Sequence, residues 1–176
     1  MPTLVPSADV EARAIARILS QGIIVIASGG GWIPVVVDSA GDHAGLEAAI
    51  DKDRAGEVMA QALGADTCMM PTDGDRAFRD FGEECATPVG EVSGAEAKEL
   101  AAEGHFLAGS MGPKMTSALK FVEDGGAPAI ISSPDRAVDA LFGRKETRRV
   151  SGAPLASSPR FHAVTLDLAS IAVLVS

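Results

Sequence analysis

The apolar run Ile23-Ile24-Val25-Ile26-Ala27, followed directly by Ser28-Gly29-Gly30-Gly31, is the feature that most constrains the fold of this chain. An uninterrupted, mostly β-branched apolar run is typical of a strand buried on both faces, as parallel strands are. A glycine turn directly after such a strand lies at its carboxyl end, where open α/β sheets bind ligands. The segment therefore predicts an α/β protein with a ligand site at this turn.

Helix-like and strand-like patterns alternate along the chain. Apolar residues recur at helical spacing in five segments, 9–21, 46–63, 93–103, 115–124 and 135–142. Short apolar runs predict further strands at Ile33–Val37, Thr67–Met70 and Ala129–Ser132. Ser93 and Glu96 have the spacing of a capping box, which predicts a helix start at Ser93. Alternating elements with short connections predict a parallel sheet with helices on its faces.

Composition limits the class of protein and its partners. The 176 residues fit one domain, and 47% hydrophobic with 22% charged residues indicates a globular chain. A formal net charge of -9 argues against a nucleic-acid partner. Apolar stretches are too short for a membrane span, and no signal peptide is recognisable. Two cysteines are too few for a disulfide scaffold, so we expect a cytoplasmic protein with Cys68 as a buried thiol.

Several turns carry residues suited to phosphate chemistry. They are SGGG (28–31), IDKD (50–53), PTDGD (71–75) and GSMGPK (109–114). Phosphoryl transfer needs cations, free backbone N–H groups and carboxylates that position them. Lys52 and Lys114 are the candidate cations, and Asp51 or Asp53 is the candidate organising carboxylate. A glycine-rich loop that opens a helix is also a ready anion site.

Each of these signals also has a purely structural interpretation. A triple-glycine turn is usually only a turn, and TDGD is usually a β-turn or an Asx-turn. Asp-Lys-Asp near a helix start is commonly a solvated face with acids matched to the helix dipole. His105 is better explained as a hydrogen-bonding loop residue than as a base. Only the joint occurrence of these motifs in one short α/β chain favours phosphate chemistry.

The motifs, in this order, resemble the C-terminal half of carbamate kinases, a branch of the amino acid kinase family. The resemblance covers about residues 4–150 and is carried by segments 5–36, 45–53, 69–75, 103–115, 120–132 and 139–150. It implies a three-layer αβα sandwich around a mainly parallel sheet, truncated to its nucleotide-binding half over residues 1–150. Residues 151–176 form a tail with no counterpart in the family.

The resemblance also implies an activity and residue roles. Carbamate kinases transfer a phosphoryl group between ATP and carbamate with Mg²⁺, giving ADP and carbamoyl phosphate. Lys52, Asp53 and Lys114 would be catalytic, with the lysines on the phosphates and Asp53 holding them. Thr72, Asp73, Met111 and Gly112 would bind the nucleotide. The glycines Gly29, Gly30 and Gly31 would lie beside carbamate and the transferring phosphoryl group.

The chain departs from the family pattern in ways that bear on activity. Trp32 replaces a further glycine, where it could crowd the substrate or pack on a neighbouring helix. The N-terminal half, with its own phosphate-binding glycine loop and lysine, is not represented. We therefore expect a chain that is weak or inactive alone and that forms a homodimer or pairs with a separate N-terminal half. A non-catalytic nucleotide-binding module and an inactive truncated fragment remain alternatives.

Overall fold

The computed structural model describes residues 3–28, 32–72, 78–79, 86–106, 111–125, 128–142, 149–151 and 172–174. Its α-helices are α1 (Ala12–Leu19), α2 (Lys52–Ala62), α3 (Gly94–Ala102), α4 (Met111–Gly125) and α5 (Ala137–Phe142). Its strands are β1 (Thr3–Leu4), β2 (Val35–Val37), β3 (His43–Gly45), β4 (Ala49–Ile50), β5 (Thr67–Pro71), β6 (Phe78–Arg79), β7 (Thr87–Pro88), β8 (Val92–Ser93), β9 (Ala129–Ser132), β10 (Arg149–Ser151) and β11 (Ala172–Leu174).

The largest sheet has the strand order β11-β5-β9-β10-β8. Its two central strands, β5 and β9, run parallel, with Met70 opposite Ile131 and Pro71 opposite Ser132. The pairing of β8 with β10 is also parallel, whereas β10 with β9 and β11 with β5 are antiparallel. Separate two-stranded pairs are formed by β1 with β4, β2 with β3, and β6 with β7.

Helices pack on both faces of this sheet. On one face, α2, α3 and α4 enclose the main core, which includes Cys68, Met70, Phe121 and Ile131. On the other face, α5 covers Met69 and Ile130. Alternate residues of β5 and β9 thus belong to opposite layers, which is the side-chain period of a strand. The predicted α/β sandwich and the buried position of Cys68 are both confirmed.

Two helices begin where their capping residues require. The Ser93 hydroxyl accepts from the Glu96 N–H and the Glu96 carboxylate accepts from the Ser93 N–H, so the predicted capping box of α3 is confirmed. The Asp51 carboxylate accepts from the N–H groups of Asp53 and Arg54, so α2 begins at Lys52 rather than at residue 46. The preceding residues Ala49–Ile50 form β4 instead.

The prediction of a buried strand at Ile23–Ala27 is wrong for the described structure. These residues belong to no strand, and Ile23, Ile24 and Ile26 are exposed. Val25 and Ala27 do pack on a small cluster built from α1 and α2, around Ile15, Leu19 and Met59. The segment therefore buries one side only, because no neighbouring strand in the described part of the chain covers the other.

Candidate anion-binding site

Helices α2 and α4 lie side by side and run in the same direction. Near their first residues, the Lys114 ammonium donates to Asp53 Oδ1 at 2.8 Å. Near their last residues, Gln61 Nε2 donates to Asp124 Oδ2 at 3.0 Å. The first turn of α2 thus contacts the first turn of α4, and the last turn contacts the last turn. The two N-termini therefore lie at the same end. Each N-terminus carries a partial positive charge, so this end favours an anion.

The shared helix start lies at the carboxyl ends of the central strands. Only a short turn separates the end of α2 at Ala62 from the start of β5 at Thr67, and α4 ends at Gly125, four residues before β9 begins at Ala129. Each helix packs back along the strand that follows it, so the helix begins near the carboxyl end of that strand. At this edge the Thr72 N–H donates to the Ser132 carbonyl at 3.0 Å. Such edges are where α/β sheets bind ligands.

The Asp53–Lys114 ion pair is buried at the core of this site. The Asp53 and Lys114 side chains are 3% and 9% exposed, respectively. An ammonium group removed from water is unfavourable unless a carboxylate compensates it, so each group requires the other. The pair fixes the Lys114 side chain at the helix start. Lys114 and Asp53, predicted from separate motifs, are thus brought together by the fold.

The remaining charged residues of the IDKD motif occupy different positions. Lys52 is exposed as the first residue of α2. Asp51 caps the helix rather than holding a lysine, since one of its oxygens accepts two backbone hydrogen bonds. Between the alternatives that the motif left open, Asp53 is therefore the carboxylate that contacts a lysine. Lys52 adds an exposed positive charge at the solvent edge of the same helix start.

The GSMGPK motif runs into the first turn of α4. This helix begins at Met111, four residues before the predicted start at Met115. Gly112 and Pro113 lie within the first turn, where the missing N–H of proline breaks no hydrogen bond. Met111 and Gly112 are half-buried, as is Thr72 at the end of β5. These predicted nucleotide-binding residues therefore lie at the two chain segments that border the site.

Four predicted site residues lie outside the described residues. They are Gly29, Gly30, Gly31 and Asp73. Trp32, which departs from the family pattern, is described. Its indole N–H donates to the Ser28 hydroxyl, and its ring packs on the cluster of Ile15, Leu19 and Met59. Of the two alternatives for Trp32, packing on neighbouring helices is the one observed.

Sequence reasoning missed Glu57, one helical turn beyond Asp53 on the same face of α2. Its side chain is fully buried, and its carboxylate oxygens lie 3.8 Å from Lys120 Nζ and 3.9 Å from Arg54. Neither oxygen has a hydrogen-bond partner among the described residues. Burial raises the pKa of Glu57, and Lys120 and Arg54 only partly oppose this. The four-residue spacing from Asp53 was the one signal available in the sequence.

Among the described residues, no group of three or more His, Cys, Asp or Glu side chains could hold a metal ion. The carboxylates at the shared helix start are already engaged, Asp53 with Lys114 and Asp51 with backbone N–H groups. These residues do not fit a resident metal cage. In the same part of the chain, no helix combines the length and the apolar character that crossing a membrane requires.

The chain belongs to the amino acid kinase family, whose model matches residues 5–133. Carbamate kinase of Pyrococcus horikoshii is 45% identical over 148 residues, which cover 84% of this chain and 47% of that protein. Carbamate kinase of Thermococcus kodakarensis is 45% identical over 150 residues, which cover 85% of this chain and 47% of that protein. The chain thus spans about half the length of the curated relatives it matches.

Solved structures agree with this assignment. Carbamate kinase from Giardia lamblia bound to AMP-PNP superposes with a TM-score of 0.77 at 34% identity, covering 81% of this chain and 49% of that one. A protein from Aeropyrum pernix superposes with a TM-score of 0.78 at 34% identity, covering 86% of this chain and 48% of that one. The predicted family and the α/β sandwich are therefore confirmed.

Loss of the Asp53 charge should destabilise the fold strongly. The Asp53→Asn variant leaves the Lys114 ammonium buried without a counter-ion, which typically costs about 3–5 kcal/mol of unfolding free energy. Chemical denaturation measures this loss. Adding Lys114→Met to Asp53→Asn should recover most of it, because the unpaired charge is then gone. Asp51→Asn is the matched control, since asparagine caps helices about as well as aspartate. Equal effects of Asp53→Asn and Asp51→Asn would contradict the assigned pairing.

Glu57 should make the free energy of unfolding fall as the pH rises, which is the opposite of the usual effect of a paired carboxylate. Because the pKa of Glu57 is raised above its ordinary value of 4.5 in the folded chain, the folded state holds the proton more tightly than the unfolded state. Its contribution to stability is therefore complete below pH 4.5 and is lost as the pH rises through the folded-state pKa. The unfolding free energy of the Glu57→Gln variant should not show this decline with rising pH, whereas that of the unaltered chain should. The exposed Glu99→Gln serves as control, and parallel curves for Glu57→Gln and the unaltered chain would refute the role given to Glu57.

Proposed function

We propose that this chain is the nucleotide-binding half of a carbamate kinase-like phosphotransferase, which moves a phosphoryl group between ATP and carbamate. The observation that carries the proposal is the buried Asp53–Lys114 pair at the shared start of α2 and α4. A cation held at two helix N-termini suits a nucleotide phosphate tail. The 45% identity to carbamate kinases supports the choice of this reaction within the family.

In the proposed reaction, a carbamate oxygen attacks the γ-phosphorus of ATP while the bond to the bridging β–γ oxygen breaks. Carbamoyl phosphate and ADP are the products. Negative charge on the transferring group is stabilised by Lys114, held by Asp53, and by Lys52 at the edge of α2. Thr72, Asp73, Met111 and Gly112 bind the nucleotide, and Gly29, Gly30 and Gly31 contact the carbamate side. Precise placement of charge is the main requirement of such a transfer.

Magnesium enters this proposal as an ion carried by the nucleotide. Mg²⁺ keeps several waters and commonly binds through substrate phosphates rather than in a cage of protein ligands. Since Asp51 and Asp53 are engaged in the folded chain, the lysines supply the protein's share of charge neutralisation. When bound, the ion neutralises the β- and γ-phosphate oxygens.

Turnover in this proposal requires the half of the fold that the chain does not span. Large apolar residues are exposed mainly in the first part of the described chain, at Val5, Val10, Ile18, Ile23, Ile24, Ile26, Ile33, Val36, Val37 and Leu46. Such a concentration of exposed apolar side chains typically marks an interaction surface. We propose that the complementary N-terminal half, in the same longer polypeptide or as a separate chain, covers it. A second copy of this chain is the alternative occupant.

A second function follows if no complementary half joins the chain. The phosphate-binding end of α2 and α4 needs only residues that this chain contains, so it supports nucleotide binding without turnover. The chain would then act as a nucleotide-binding or regulatory module. The two functions share one site and differ in whether carbamoyl phosphate and ADP yield ATP.

The exposed residue Lys52 gives the cleanest test of the proposed nucleotide site. MgADP should bind the unaltered chain, and Lys52→Met should weaken binding by about tenfold, equivalent to about 1.4 kcal/mol for one lost phosphate contact. Isothermal titration measures both affinities. Lys98→Met is the matched control, because Lys98 is also exposed and pairs with Glu123 away from the site.

The isolated chain should produce no appreciable ATP from MgADP and carbamoyl phosphate, and adding the complementary N-terminal half should restore production. In the isothermal titration, an unchanged MgADP affinity of the Lys52→Met variant would show that Lys52 does not contact the nucleotide. ATP formation by the isolated chain would show that the missing half is dispensable.

A further inference from the structure

Ser133 has a hydroxyl group that the fold leaves without a role. The residue is 7% exposed, and its Oγ has no hydrogen-bond partner among the described residues. Ser133 precedes the short 3₁₀ turn Pro134–Arg136 with extended backbone angles, as an N-cap residue does, yet its side chain makes no capping hydrogen bond. A buried hydroxyl without a partner is unfavourable and requires an explanation.

The direction of the strands places Ser133 on the same face of the sheet as α2 and α4. Along β9, Ile131 packs in the core under these helices, whereas Ile130 packs under α5. Side chains alternate along extended backbone, so Ser133 falls on the side of Ile131. It lies just beyond the carboxyl end of β9, at the end where α2 and α4 begin.

Thr72 occupies the equivalent position on the neighbouring strand. In β5, Met70 belongs to the core under α2 and α4, and Met69 to the opposite layer, so Thr72 shares the face of Met70. The hydrogen bond from the Thr72 N–H to the Ser132 carbonyl, 3.0 Å long, holds the two strand ends together. Thr72 and Ser133 therefore lie side by side beneath the shared helix start that carries Lys114.

We propose that the Ser133 hydroxyl is a nucleotide-binding group, which donates a hydrogen bond to a phosphate oxygen of a nucleoside di- or triphosphate. This inference rests on the proposed nucleotide site and adds a ligand group that the motifs did not include. A bound phosphate oxygen would supply the missing partner of the hydroxyl. The unsatisfied hydroxyl is then a group prepared for the ligand, not a defect in packing.

Ser117 offers a matched comparison within the same chain. It is also a fully buried serine whose Oγ finds no partner in the described ranges. It lies in α4 one turn beyond Lys114, away from the strand ends and further from the helix start. If a buried unpartnered hydroxyl were enough to affect ligand binding, Ser117 and Ser133 would behave alike. If Ser133 instead binds phosphate, the Ser133 and Ser117 variants should differ in nucleotide affinity.

The test measures affinity and stability of the same variants. Ser133→Ala should weaken MgADP binding by about tenfold, since hydrogen bonds to charged groups are stronger than neutral ones. Adenosine affinity should be unchanged, because adenosine lacks phosphate. Thermal denaturation without ligand should show Ser133→Ala to be at least as stable as the unaltered chain. Ser133→Thr should keep MgADP affinity, and Ser117→Ala should leave it unchanged.

The inference is overturned if Ser133→Ala binds MgADP as tightly as the unaltered chain, or if MgADP and adenosine affinities fall together. Equal losses of MgADP affinity in Ser133→Ala and Ser117→Ala would also overturn it, because the strand-end position would then be irrelevant. If the unaltered chain binds no MgADP, the proposed function itself fails and the role of Ser133 fails with it.

Discussion

The buried ion pair between Asp53 and Lys114 is the interaction on which the rest of the site depends. It joins residues 61 positions apart in the chain and does so in the interior, where neither charge is stable alone. Because the pair forms at the first turns of α2 and α4, it aligns the two helix starts. A favourable but non-directional apolar contact would not set that alignment.

Aligned helix starts have an electrostatic consequence. Two parallel helices present two partial positive charges at one edge, and these repel each other unless an anion or acidic side chain is nearby. Asp51 and Asp53 reduce that repulsion within the protein, and a bound phosphate would reduce it further. Lys52, Lys114 and the two helix starts place positive groups at this edge although the whole chain has a formal net charge of -9. A negative net charge argues against a nucleic-acid partner but is compatible with a nucleotide ligand.

Sequence patterns predicted the parts of this structure that depend on local chemistry. The capping box at Ser93 and the burial of Cys68 follow from neighbouring residues and short apolar runs, and both are confirmed. The approach of Asp53 to Lys114 depends on tertiary packing, so the separate motifs named both residues, and only the family resemblance implied that Asp53 holds the lysines. Glu57 and Ser133 were missed because a buried acid and an unpartnered hydroxyl have no distinctive local pattern.

The failed strand prediction at Ile23–Ala27 has a different cause. Its composition is that of a strand buried on both faces, and only one side is covered within the described structure. Composition reports the environment that the segment suits, whereas the observed conformation depends on which partners are present. The uncovered side of Ile23–Ala27 agrees with a chain that spans about half the length of its curated relatives.

In the proposed function, the shared start of α2 and α4 receives the phosphates of a nucleotide. Titration of the isotope-labelled chain with MgADP, followed by backbone amide NMR, tests it most directly. Shift changes should concentrate at residues 52–54 and at Met111, Gly112, Lys114 and Met115, should saturate, and should not be reproduced by adenosine. Saturating changes located elsewhere, with both helix starts unaffected, would contradict this placement of the phosphates.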